Sequence, residues 1–457
     1  MKFNPNKYEV NLNLKIIDVL NIFEKNRVNI CAVTNKKKEF AGIITLSDIK
    51  KAFLKGASLE QKIINFVNKN PLIIKGEVNE NNISDILSSS KFNNIDPPLI
   101  PIINLKKKLV NILDKNELFN YSQNFLKKDV SKSKKVLVFG GAGYIGCVLV
   151  KMLINLNFEV TVYDKFIYTS KKSFTKHFKS SKLKIVKGDS QNISEIFEAI
   201  RKNDIVIHLA EMVGDPLCEK KPKKTYAINY LASMTISNIC KNLGISKFIY
   251  VSSCSVYGSN DYLTSETSKI NPLSIYAKLK ALSEKAIIRN FDKHCKPCIL
   301  RLGTVYGSSF RPRYDLVINL FSGLSANKKQ ITITGGNQWR PFVHVKDVSR
   351  AIIKILNSDF KKTDNQIFNI VGENLQIKDI GKAIKKINSK ANITFSDNVK
   401  DNRNYKSSNK KAKKLLNFKT KYTINDGIKE VVEYTKKNKI KNIFNKKYIN
   451  ILNHLKF

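Results

Sequence analysis

Apolar positions along this chain follow two rhythms, and the change from one to the other divides it. In the N-terminal part the spacing predicts a helix over 17–23, a strand over 28–33, a strand over 40–45, and a helix opening at Leu46-Ser47-Asp48. A similar round begins at Asn70-Pro71-Leu72-Ile73-Ile74. It continues through a helix near Ile83 to Leu87 and strands over 99–103 and 109–113. The recurrence reads as an internal repeat of strand, helix and hairpin. Residues 121–134 are polar and aperiodic, as a linker would be. From Lys135 short apolar runs alternate with helical stretches, which implies a parallel sheet. Strands are expected over 136–139, 160–163, 184–186, 205–208, 248–251 and 299–302.

Beyond residue 303 the elements shorten, as in a smaller substrate-binding lobe. The stretch from Lys436 to Phe457 is basic, with spaced apolar residues at Ile440, Ile443, Phe444, Tyr448, Ile451 and Leu452. It reads as a terminal helix docked on the domain or on a partner subunit. The expected organisation is therefore 1–120, a linker at 121–134, a main domain at 135–436 and a basic tail at 437–457.

Composition narrows this picture. The 457 residues are 42% hydrophobic and 26% charged, enough for two or three domains with their own cores. No apolar run approaches the ~20 residues of a membrane-spanning helix, and the N-terminus lacks a secretory h-region. A cytoplasmic protein is expected. Seven cysteines are scattered, and only Cys295 and Cys298 form a C-x2-C pair, so reduced thiols and no metal site are expected. The formal net charge is +44. Its lysines are spread over the whole length without an Arg-rich arm, which reads as compositional bias and not as a nucleic-acid site. A basic surface still raises encounter rates with nucleotide diphosphates.

Gly140-Gly141-Ala142-Gly143-Tyr144-Ile145-Gly146 lies between an expected strand and an expected helix. Gly140 suits the tight turn, Gly143 a close approach of pyrophosphate, and Gly146 the contact of helix with strand. Asp164 ends the next strand, where a carboxylate accepts from a ribose 2′-hydroxyl and repels a 2′-phosphate. NAD is favoured over NADP on this ground, with Lys165, Lys171 and Lys172 nearby as the features that would suit NADP. Further on, Tyr276-Ala277-Lys278-Leu279-Lys280 places a phenol and an ammonium four residues apart on one helix face. An ammonium there would favour the phenolate and pull the tyrosine below its reference near ~10. The serine run Ser252-Ser253-Cys254-Ser255 sits at the carboxyl end of a strand, where open α/β sheets bind ligands.

With these motifs, residues 135 to about 436 resemble an extended short-chain dehydrogenase/reductase of the nucleotide-sugar epimerase/dehydratase group, such as the UDP-glucose 4-epimerases. The resemblance implies an α/β fold: a Rossmann-type doubly wound parallel sheet with a smaller C-terminal substrate lobe. It implies Ser253, Tyr276 and Lys280 as catalytic residues. It implies Gly140, Gly143, Tyr144, Ile145, Gly146, Asp164, Asp189, Leu209, Ala210 and Asn229 as cofactor contacts, with Tyr276 and Lys280 shared. Arg340 and Arg403 match diphosphate-gripping arginines, Thr304 stands where an Asn is usual, and Arg311 is within reach of an anion. Two departures matter. Glu211 replaces a small residue after Ala210, and Cys254-Ser255 replaces the Asp-Glu pair of 4,6-dehydratases. The second disfavours water elimination and leaves epimerisation of a nucleotide-diphosphate sugar first, with keto-sugar reduction or dehydrogenation second. A non-catalytic NAD or adenine-nucleotide sensor is the reading from another class.

The N-terminal repeat resembles a tandem CBS-domain pair, which would make that part α+β. Gly42-Ile43-Ile44-Thr45-Leu46-Ser47-Asp48 carries the Gly-x-x-Thr-x-x-Asp pattern, in which Thr45 and Asp48 would hold the ribose of AMP or ATP. The second copy departs, with Asn111, Asp114 and Glu117 at the matching positions. Both resemblances imply a homodimer.

Overall fold

The computed structural model describes residues 7–76, 99–114, 135–291, 296–359, 362–396 and 403–450. The chain divides into two compact units, Met1–Asp129 and Val130–Phe457, and the division falls inside the stretch expected to be a linker.

In the first unit β1 (Glu9–Asn11), β2 (Ile30–Thr34) and β3 (Phe40–Thr45) form a three-stranded sheet. The helix Ile16–Asn26 buries Ile16, Val19 and Phe23, three positions that share one face at helical spacing. They close a core with Val10, Val33, Ile44 and Ile49. The pattern recurs in β4 (Ile74–Lys75), β5 (Leu99–Ile103) and β6 (Leu109–Asp114). Each triplet has a parallel pair followed by an antiparallel hairpin, so the repeat read in the sequence is present among the described strands. The helix expected near 83–87 lies outside the described residues.

The second unit is built on seven strands: β7 (Lys135–Phe139), β8 (Glu159–Asp164), β9 (Leu183–Lys187), β10 (Ile205–His208), β11 (Lys247–Ser253), and then, after the short β12 (Leu263–Thr264), β13 (Pro297–Leu302) and β17. Between the last two lie β14 (Thr304–Tyr306), β15 (Ile331–Thr334) and β16 (Trp339–His344); β17 itself is Gln366–Ile370. The sheet order is β17-β13-β11-β10-β7-β8-β9, with every pair parallel. Val136, Leu137, Val138 and Phe139 are wholly buried, as a central parallel strand covered on both faces must be. Strand order reverses between β7 and β10, which opens a crevice at their carboxyl ends. His208 sits opposite both Phe139 and Tyr250, so β7 and β10 end at one level while β11 runs three residues further, to Ser253.

Two features of the C-terminal third go beyond the expectation. Part of it joins the main domain: β17 returns to the edge of the main sheet, and helix Val345–Asn357 buries Val348, Ile352 and Ile355 in the core that holds helix Tyr144–Asn155, while the rest keeps a smaller core of its own. Sequence reading missed β17 because Asn369 interrupts its apolar run. That asparagine is buried and accepts from the Tyr257 hydroxyl at 2.7 Å. The second is a correction to the expected terminal helix: residues 438–449 are turn-rich and not helical, and residues 451–457 lie outside the described residues. Ile440 and Ile443 nevertheless pack into a second core with Ile318, Phe321 and Ile428. Smaller sheets complete the unit: β14-β16-β18 (β18, Glu373–Gln376), β15-β19 (β19, Ile393–Ser396) and β12-β20 (β20, Lys406–Ser407).

A buried ion pair locks helix Ile275–Asn290 to the sheet. Arg301 on β13 grips Glu284 with two bonds, Nε to Oε1 at 3.0 Å and Nη2 to Oε2 at 2.6 Å, and donates to the Tyr257 hydroxyl at 2.9 Å. The Ser252 hydroxyl donates to the same carboxylate. Removing one partner of such a pair strands a buried charge. Glu284→Ala is therefore expected to cost about 3–5 kcal/mol in the unfolding transition of residues 130–457, measured by denaturant titration. A loss under about 1 kcal/mol would contradict this role.

Candidate active site

A cavity of about 880 Å³ lies at the carboxyl edge of the sheet. Its lining includes Gly140, Gly143 and Asp164, then Ser253, Tyr276 and Lys280, and also Arg340 and Arg403.

The glycine turn is tight for a stated reason. Gly140 has φ +78, and a Cβ there would lie 2.8 Å from the Ala210 nitrogen. A Cβ on Gly146 would lie 2.3 Å from the Gly140 carbonyl oxygen. Gly143 is the N-cap of helix Tyr144–Asn155 and has no side chain to cap its first turn, and that turn lines the cavity, where a helix N-terminus suits an anion. Asp164 accepts from the backbone N–H of Ala142 at 3.0 Å and of Phe166 at 2.7 Å, which fixes its carboxylate at the end of β8. Burial pushes its acidity down despite those bonds, raising its pKa. Asp189 pairs with Lys165 at 2.7 Å and lines the same end. Tyr144, Ile145, Leu209 and Ala210 also line the cavity.

The catalytic candidates meet on helix Ile275–Asn290 and β11. Ser274 caps that helix by accepting from the Ala277 N–H at 3.2 Å, and its hydroxyl donates to Asp215 at 2.7 Å. Tyr276 and Lys280 follow on the first turns, with the Lys280 Nζ 5.8 Å from the Tyr276 ring centroid. Ser253 Oγ accepts from both the N–H and the hydroxyl of Ser255, at 3.1 and 2.9 Å. Its own hydrogen is then left to donate. Ser252 is held by Glu284 and Cys254 is turned into the core, its thiol on the Arg301 carbonyl at 3.3 Å and its pKa pushed up to about 12 by burial.

Four sequence expectations change at this point. Lys280 does not face Tyr276 as an uncompensated cation, because its Nζ lies 2.6 Å from Glu211 Oε2 and donates to the Val251 carbonyl. Burial and the Glu211 charge together push Tyr276 well above the ordinary tyrosine value, opposite to the direction expected from the Tyr-x3-Lys spacing. Asn229 is buried away from the cavity lining. Both ends of its amide bond the Met212 backbone at 2.8 Å, so it holds the loop after β10. Arg311 stacks 4.0 Å from the Tyr168 ring and acts electrostatically on Asp164, so it belongs to the end of the cavity near β8. Thr304 lines the cavity on β14. Arg340 is buried over the Tyr405 ring, and Arg403 pairs with Asp215 at 2.7 Å. Asp215 thus joins Ser274 to Arg403, a link that no local motif announces. Of the C-x2-C pair, Cys298 is buried and Cys295 lies outside the described residues; no cluster of metal-binding side chains occurs among the described residues.

Comparison with known proteins fits this geometry. The sequence matches the NAD dependent epimerase/dehydratase family over residues 136–371. The chain belongs to that family. Residues 5–55 match the CBS domain. A putative UDP-glucose 4-epimerase of Methanocaldococcus jannaschii is 31% identical over 258 residues, 55% of this chain and 81% of that protein. A dTDP-D-glucose 4,6-dehydratase of Dictyostelium discoideum is 32% identical over 281 residues, 57% of this chain and 63% of that one. Among solved structures, the UDP-glucuronic acid 4-epimerase of Bacillus cereus with UDP-glucuronic acid and NAD is similar at TM-score 0.60 and 28% identity. It covers 66% of this chain and 99% of its own.

NAD is the family's cofactor, and the turn, the Asp164 carboxylate and Lys280 suit it. In Gly146→Ala the new methyl meets backbone that cannot yield, so NAD affinity is expected to fall about tenfold or more, or ~1.4 kcal/mol. Calorimetric titration of NAD checks this; an unchanged Kd would show that the turn tolerates the methyl.

Proposed function

We propose that this chain is an NAD-dependent nucleotide-sugar epimerase acting at a single secondary alcohol, C4 of the sugar, through a transient keto sugar. The observation that carries the reading is that Tyr276, Ser253 and Lys280 line one cavity together with the glycine turn, Arg340 and Arg403. NAD, when bound, supplies a reversible hydride acceptor. Tyr276 takes the hydroxyl proton on oxidation and returns one on reduction. The Ser253 hydroxyl, freed by its two bonds from Ser255, donates to the sugar oxygen as charge develops. Arg340 and Arg403 supply guanidinium groups for the diphosphate. Epimerisation requires the keto sugar to turn over between the two steps, so that no external reductant is consumed.

Dehydration is disfavoured by the side chains at 254 and 255. Cys254 is buried in the core and Ser255 is bonded to Ser253, which leaves neither as an acid/base pair for eliminating water. The similar epimerases suggest UDP-glucose and UDP-glucuronic acid as first substrates to try.

Regulation by adenine nucleotide at Thr45 and Asp48 is the further part of this reading. Asp48 Oδ2 already accepts from the Thr45 N–H at 3.0 Å and hydroxyl at 2.7 Å, closing a capping box on helix Leu46–Leu54. A ribose would bind to the lone pairs that the box leaves open. Full-length protein is expected to bind AMP or ATP and to lose that binding in Asp48→Ala; calorimetry showing no heat for either nucleotide would remove the regulatory part alone.

For the enzyme itself, Tyr276→Phe is expected to lower kcat for interconversion of the C4 epimers by roughly 10²–10⁴-fold while NAD still binds. Full activity in that variant, read by chromatographic separation of the isomers, would overturn the reading.

A further inference from the structure

Glu211 has no place in the chemistry described so far, yet it puts an enclosed carboxylate in the cavity wall. Its side chain is 2% exposed and that of Lys280 is 4% exposed. Oε2 lies 2.6 Å from Lys280 Nζ, and Oε1 accepts from the Tyr250 hydroxyl at 2.7 Å. Lys280 has three N–H donors. One goes to the Val251 carbonyl, and the ammonium sits against the Glu211 carboxylate as an ion pair.

We propose that Glu211 is a positioning residue of this site: it fixes Lys280 and cancels, at Tyr276, the positive charge that the Tyr-x3-Lys pairing would otherwise supply. The proposal rests on the reading of Tyr276 as the proton-transferring group. A buried charge is tolerated when paired, and a paired ammonium stabilises a nearby phenolate far less than a lone one.

The other groups around Glu211 do not undo this. From β10 and helix Ala232–Asn242, His208 and Ser233 contribute no charge. Ser233 Oγ bonds His208 Nε2 at 2.9 Å, and burial with the Lys280 charge pulls the imidazole down to about 3, so it stays neutral. From β11, Tyr250 contributes a neutral hydroxyl held high by burial and by Glu211. From helix Asp215–Lys220, the Cys218 thiol is pushed up to about 12, chiefly by burial, and Asp215 adds a second negative charge that disfavours phenolate. Arg313 is the cation that opposes them at Tyr276. The signs therefore agree. With Glu211 present the phenolate is disfavoured, and its fraction rises only as pH rises. Removing the carboxylate leaves Lys280 uncompensated and moves the tyrosine titration down.

Two measurements on the full-length chain test this. The first is the pH dependence of kcat/KM with UDP-glucose or UDP-glucuronic acid at saturating NAD, for wild type, Glu211→Gln and Glu211→Asp. The acidic limb is expected to move down by about one unit or more in Glu211→Gln, equivalent to about a tenfold gain relative to plateau on that limb, and to return toward the wild-type position in Glu211→Asp. An unmoved limb, or one displaced upward, overturns the proposal. The second needs neither cofactor nor a Glu211 variant. The phenolate absorbance of Tyr276, isolated as wild type minus Tyr276→Phe, is expected only above the ordinary tyrosine range near ~10; a phenolate band at neutral pH overturns the proposal even if Glu211→Gln fails to fold. Retained turnover in Tyr276→Phe would instead remove the redox reading, while the absorbance titration would still report the charge balance at Tyr276.

Discussion

A lysine ammonium buried against a carboxylate and a strand-end carbonyl sets the geometry of this protein's working cavity. Lys280 comes from helix Ile275–Asn290, Glu211 from the loop after β10, and Val251 from β11. Three separate elements must meet to within hydrogen-bonding distance for that charge to stay out of water, and a mispacked arrangement would leave it unpaired at a cost of several kcal/mol. The supports are equally specific. Asn229 clamps the Met212 backbone beside Glu211, and Arg301 with Glu284 anchors the helix that carries Tyr276 and Lys280. The side chains that would touch a sugar are thereby held by residues that touch none.

The parallel sheet brings the cofactor end and the reacting end together. Parallel pairing of β7, β10 and β11 brings the glycine turn, Glu211 and Ser253 to the carboxyl edge of one sheet, and the reversal of strand order opens the space between them. The chain then returns. β17 closes the sheet, Arg340 and Arg403 join the cavity lining, and Ile440 and Ile443 fill a second core. An anionic substrate would meet guanidinium groups held by aromatic rings and by Asp215.

Much of this was legible in the amino-acid sequence, because parallel strands buried on both faces leave continuous apolar runs and the glycine turn has steric requirements no other residue meets. The strands at 205–208 and 99–103 coincide with the expectation residue for residue. What escaped was non-local. β17 was hidden by a buried asparagine that bonds to Tyr257 in the turn after β11, and residues 438–449 pack as turns although their apolar spacing suits a helix. Most instructive is the tyrosine. Spacing places Tyr276 and Lys280 on one face but cannot say what else faces the ammonium. Glu211, visible in the sequence only as an oversized residue after Ala210, reverses the expected direction of the tyrosine's shift.

Membership of the NAD dependent epimerase/dehydratase family admits several outcomes at the same carbinol, and the fate of its hydrogen separates them. The most direct measurement is turnover of a UDP-sugar deuterated at C4, with the product examined by mass spectrometry and NMR. Oxidation and return at one carbon predict a C4 epimer that keeps its deuterium at C4, with no net NADH formed. Loss of the label to water, or its movement to another carbon, would contradict the account.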